Sequence, residues 1–157
     1  MLNSWLHVIA LTVYLGTVVA LWLMLLPAAS ALDDHDDRTQ FLIRGLKLYN
    51  PVQIGALGVL LFTGAFQLTD LKAAYRELFV DQLGYNLGLK LALVFFLVLV
   101  SVYQCMGIAH RLVKRHEGGN RVVPAEINTT IRKLKSLNWL ILILALLTMW
   151  LGLRLRS

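Results

Sequence analysis

The sequence predicts an all-α integral membrane four-helix bundle with short interfacial helices, and three observations lead there. Four apolar runs are separated by polar or charged segments. The composition is 58% hydrophobic and 15% charged with a mean hydropathy of +0.68, more apolar surface than a 157-residue soluble domain can hide. The bilayer must therefore act as solvent for much of the chain. The third observation is charge placement: seven of the fifteen Lys and Arg residues lie between Arg111 and Lys135. The net charge of +6 and pI near 9.8 do not point to nucleic acid, because a basic loop between apolar spans fits the positive-inside rule and anionic lipid better. The length suits one domain, residues 1–157.

The first span is expected over about 5–26, from Trp5 to Leu26, stopping at Pro27. Ala29-Ser30-Ala31 has the small-x-small form of a signal cleavage site. However, the apolar run exceeds twenty residues and no Lys or Arg precedes it. Signal cores are about 7–15 residues long, so a retained span is expected. The acidic stretch Asp33 to Asp37 repeats no ligand spacing and reads as a solvated loop. Phe41 to Tyr49 reads as a short interfacial helix, with Arg44 and Lys47 off its apolar side.

Asn50-Pro51 is a helix start signal, an N-cap followed by proline at the first helical position. It opens the second span, about 51–69, whose Gly55, Gly58 and Gly64 would let a neighbouring helix approach closely. Between residues 70 and 84, Leu71, Tyr75, Leu78 and Phe79 form one apolar stripe. The third span is expected over about 86–109, entered through Gly84 and Gly88 at GxxxG spacing. The basic loop is broken by Gly118-Gly119-Asn120 and Pro124. The fourth span, about 137–153, is bracketed by Trp139 and Trp150, as aromatic belts would be. Arg38, Arg44 and Lys47 add to the seven cations of the third loop, against Lys72, Arg76, Arg154 and Arg156 on the other side. That bias places the first and third loops in the cytoplasm and both termini outside.

Ionisable groups inside a span are expensive and carry a functional hypothesis by default. His7 sits in the first turns of span one, and Lys90 about one turn into span three. Under this topology both lie near the outer face, although 83 residues separate them. Thr63 and Gln67 end span two on the same side. Imidazole is a common axial ligand to haem iron, and a lysine can pair with a propionate or serve as a weaker ligand. Cofactors of this kind sit inside bundles. The plainer reading has Lys90 snorkelling to the interface and His7 at headgroup level. His110 ends span three, twenty residues from Lys90. That is about 30 Å along a helix, so His110 and His7 do not share an iron.

Met24, Cys105, Met106 and His110 form a soft-ligand set of the kind that selects copper(I), though Met and Cys are also ordinary packing residues. Tyr14 and Thr17, and Tyr103 and Gln104, read as interhelical hydrogen-bonding groups. With one cysteine there is no intrachain disulfide, and no phosphate loop, nucleophile elbow or paired-cysteine zinc site is present.

Several short motifs together resemble the superfamily that joins CopD-type copper-resistance membrane proteins and HemJ-type protoporphyrinogen oxidases. Trp5-Leu6-His7 leading to Leu25-Leu26-Pro27 is similar to that family's histidine-bearing first helix. Arg44-Gly45-Leu46 through Asn50-Pro51 looks like its second segment. Leu87-Gly88-Leu89-Lys90-Leu91 resembles the lysine-bearing start of its third helix, and Arg132 to Asn138 the start of its last. Ala28 stands where HemJ-type members usually have arginine, and Ser101-Val102-Tyr103-Gln104 lacks their Tyr-His. The resemblance is thus to the broader class.

It implies a bacterial inner-membrane protein with haem b, His7 as the haem-linked histidine, Lys90 as the essential lysine and Arg44 as a second catalytic group. Gln67 and Tyr14 are the further candidate cofactor contacts. The function expected is redox chemistry or electron transfer, with protoporphyrinogen oxidation as the form known in HemJ-type members. A copper-handling protein, or a cofactor-free subunit of a larger complex, are the alternatives. Glycine-lined span two and the GxxxG leave room for partner helices in a homo-oligomer or a membrane redox complex.

Overall fold

In hydrocarbon a backbone amide has no water to bond, so a long apolar run satisfies itself as a helix. The computed structural model describes residues 2–74, 82–119 and 123–154, and among them every regular element is helical. The first column is α1 (Leu2–Ala20), a π turn at Leu21–Leu25 and α2 (Leu26–Ser30). The second is the single helix α3, His35–Ala74. The third is α4 (Gln82–Val102), a π turn at Tyr103–Ala109 and α5 (His110–Glu117). The fourth is α6, Pro124–Arg154. Each column is long and apolar enough to cross a membrane. The protein is an all-α bundle of four membrane-crossing columns. The first column lies mainly along the second, and the third along the fourth.

Three expected boundaries move. Pro27 does not end the first column, because the π turn just before it bonds Leu26 N–H to the Leu21 carbonyl. Widening that turn relieves the clash a proline ring makes with the carbonyl four residues back. The interfacial helix expected at 41–49 is not separate either. It is the start of α3, which runs on through Pro51, and the loss of one amide bond there is tolerated because the flanking residues stay packed. Leu42, Ile43 and Leu46 are buried against the other columns and keep this segment on the bundle axis. The basic loop is mostly helical, as α5 and the first three turns of α6. Of the stripe expected over 70–84, α3 carries the backbone through Ala74, and its apolar side chains lie outside the described residues.

The end holding the two interhelical loops, here the basic end, has a leucine-rich core. Leu21, Leu25, Leu26 and Ala29 meet Leu42, Ile43 and Leu46, with Ala109, Leu112, Val113, Ile127 and Leu134 from the other two columns. Gly45 makes this possible, since the Leu25 side chain occupies the space that any Cβ there would need. Exposed ion pairs, Lys47 with Glu117 and Arg115 with Glu126, tie the columns outside this core. Arg38 clamps the first loop through the Leu32 carbonyl and reaches Asn128 Oδ1 at 3.0 Å. At 40 residues, α3 is about 60 Å long against a hydrocarbon layer of about 30 Å. Much of the basic end therefore stands in water. A second core, Tyr14, Val18, Ala56, Leu57, Leu97, Ile141 and Ala145, fills the middle.

Candidate functional site

The opposite end, where Leu2 and Gly152 lie, is built differently. His7 on α1 turns toward α3, its Nδ1 2.7 Å from Thr63 Oγ1. The Thr63 hydroxyl also donates to the Val59 carbonyl at 2.8 Å. A hydroxyl has one proton. When that proton is directed to α3's own backbone, the oxygen is free to accept from His7 Nδ1–H, and in that tautomer the lone pair lies on Nε2. A histidine fixed through one nitrogen and carrying its lone pair on the other is the form that ligates metals. Asn3, one turn earlier, donates to the Thr63 carbonyl at 3.3 Å, so α1 grips the same turn of α3 twice.

Lys90 reaches this level from α4. It lies within electrostatic reach of His7, and its Nζ rests against Gly152 of α6, 3.3 Å from where a Cβ would stand. The His7 ring in turn lies over Gly64, with Cε1 3.7 Å from a Cβ position. Each polar side chain thus crosses to a glycine of the neighbouring column. One helix pair contributes the imidazole and the other the ammonium, at a common depth. Comparison of the chain with protein-family models, with curated proteins and with solved structures finds no match. The site is therefore read from its own chemistry.

Not every expected site residue is brought here. Arg44 is exposed at the basic end, nineteen residues before Thr63 on one continuous helix, which is about 28 Å. The structure separates Arg44 from Lys90, so the two do not form one catalytic pair. Tyr14 is two turns deeper than His7, is fully buried, and bonds Ser101 Oγ at 2.5 Å. It belongs to a second polar layer. Gln67 is half-buried one turn beyond Thr63.

The soft-ligand set does not converge. Cys105 is buried, whereas Met24 and Met106 are exposed on the outside of the bundle and His110 is exposed at the basic end. The acidic stretch is used in part as a cap, with Asp34 Oδ2 accepting from the Asp37 amide at 3.0 Å. Of the glycines expected to admit a close neighbour, Gly64 does so within the chain, while Gly55, Gly58 and Gly88 face open space.

Sequence reasoning missed Asn3 and Gly152 and gave Thr63 only a depth. The available signal was spacing: Asn3 and His7 are four apart, as are Thr63 and Gln67, so each pair shares a helix face.

Proposed function

We propose that this chain is a haem-b-binding membrane protein of redox or electron-transfer function, akin to the CopD/HemJ-type class, with the site at the terminal end of the bundle. The observation that carries the reading is the His7–Thr63 hydrogen bond, with Lys90 at the same level. His7 presents Nε2 as an iron ligand, and Thr63 holds the ring so that little rotamer freedom is lost on ligation. Lys90 supplies the positive charge that a propionate requires in a site of low dielectric. Gly64 and Gly152 keep bulk away from both groups. The group they would hold supplies one-electron chemistry. The donor set fits it: one imidazole and one cation at the same level of the bundle. In this reading the basic end is cytoplasmic, the termini lie outside, and the membrane is a bacterial inner membrane.

The test is an absorption spectrum of the detergent-purified protein expressed with adequate haem supply. A Soret band is expected at near-stoichiometric intensity. It should be lost in His7→Ala and weakened or shifted in Lys90→Met, with helicity unchanged in both. Colourless wild-type protein, or a band indifferent to His7→Ala, would overturn the assignment.

A further inference from the structure

At the basic end, the seam between the first and fourth columns is lined by cations on one flank of α6. Two contacts fix which flank borders it. The Trp139 ring meets Trp22 of the first column edge-on, with centroids 4.9 Å apart. Asn128 Oδ1 accepts from Arg38 Nη1 at 3.0 Å. Arg132 and Lys135 lie between these two tethered positions, and all four residues fall within an arc of about 60° on the helix. The two cations therefore line the same seam, and both are exposed. Lys133, also exposed, stands on the other flank of α6.

Among the described residues, the ion pairs of this end engage Lys47 and Arg115 and leave Arg132 and Lys135 without a carboxylate partner. Arg38 donates to the Leu32 carbonyl through Nε at 3.0 Å and Nη2 at 2.6 Å, and to the Ser30 carbonyl at 3.5 Å. These acceptors and Asn128 Oδ1 are all neutral, so the guanidinium is held in place with its charge uncompensated by them. Three positive groups thus share one seam along about 10 Å of α6. Further along the same flank the side chains turn apolar: Trp139, Ile143 and Leu146 are 49%, 48% and 65% exposed. Spacings of four and three keep them in line with the cations. A free anion would need only the cations. A flank that is cationic where the helix leaves the membrane and apolar within it matches a molecule with an anionic head and an acyl tail. The two indoles at the junction suit the level where head and tail join.

We propose that this seam, lined by Arg38, Arg132, Lys135, Trp22 and Trp139, is a binding site for one anionic glycerophospholipid. The phosphodiester of the lipid accepts charge-assisted hydrogen bonds from Arg132 and Lys135, with the Arg38 charge beside them. Its acyl chain lies along Ile143 and Leu146. The general attraction of a basic end to an anionic membrane draws on every cation there, whereas this site depends on those of one flank. It lies at the opposite end of the bundle from His7 and stands whether or not that level holds a cofactor.

Native mass spectrometry of the detergent-purified protein, given equal amounts of phosphatidylglycerol and phosphatidylcholine, tests it. The wild type is expected to retain phosphatidylglycerol severalfold in preference. Arg132→Gln/Lys135→Gln should lose that preference. Arg111→Gln/Lys133→Gln removes the same charge from exposed positions on the third column and on the other flank of α6, and should keep it. Equal retention of the two lipids by the wild type would overturn the proposal, as would equal losses in the two double variants. Displacement of the bound lipid by added inorganic phosphate would make the seam a free-anion site and overturn it too. Should the seam variant not fold, Lys135→Gln set against Lys133→Gln decides in the same way.

Discussion

The basic end and the terminal end of this bundle are held together by different physics. At the basic end the columns run past the bilayer into water, and a leucine-rich cluster from all four of them is buried against itself. There the hydrophobic effect acts as it does in a soluble protein. At the terminal end lipid surrounds the columns, removing apolar surface from water gains nothing further, and contact depends on polar bonds and small residues. His7–Thr63, Asn3–Thr63 and the approach of Lys90 to Gly152 are what that end offers instead. The difference separates two kinds of cohesion within one bundle. Leucine packing joins all four columns at one end, and polar contacts to small residues join them at the other.

The comparison breaks first at the leucines. Leu42→Ala or Leu134→Ala, each at a fully buried position, is expected to cost about 2–5 kcal/mol in unfolding in detergent. Leu146→Ala, on the lipid-facing surface, should cost much less. Equal losses at the two kinds of position would remove the distinction drawn between the ends.

A smaller effect is expected in the polar layer between them. Asn138→Ala strips the partners from Gln104 Nε2 and the Val18 carbonyl and should cost about 1–3 kcal/mol by the same measurement. Glycine positions sharpen the contrast further. Gly45→Val drives a side chain into Leu25 and should destabilise by about 1–3 kcal/mol. Gly55→Ala faces open space and should be neutral, or stabilising by up to about 1 kcal/mol through helix propensity. The smallest effect belongs to the ion pairs. Lys47→Ala removes an exposed contact with Glu117 and should leave Tm within experimental scatter, because solvent screens such pairs.

The four columns, and the placing of His7 and Lys90 toward the same end of the bundle, were legible in the sequence, because apolar run length reports directly on where each span begins and ends. The trajectory of the second column was not. Asn50-Pro51 is a good helix start locally, and only the burial of Leu42, Ile43 and Leu46 by other columns shows that the helix began fifteen residues earlier, at His35. Partner choice was also hidden. Depth put Thr63 near His7, but whether their faces meet depends on how each helix is rotated about its axis. In an apolar run that is hydrophobic all round, no amphipathic stripe records the rotation. The same reason hid the meeting of Gln104 with Asn138. Arg44 entered through the resemblance alone: the charge count already put it at the opposite face from Lys90, and about 28 Å of helix separates it from the level of Thr63.

The most direct test of the account is chemical rescue at the terminal end. His7→Gly should be purified without a Soret band and with its helical content intact, and added imidazole should restore the band, since Thr63 and Lys90 remain in place to receive it. A band present in His7→Gly before imidazole is added, or none afterwards in a variant of a protein whose wild type is coloured, would contradict the assignment of the iron ligand to this histidine.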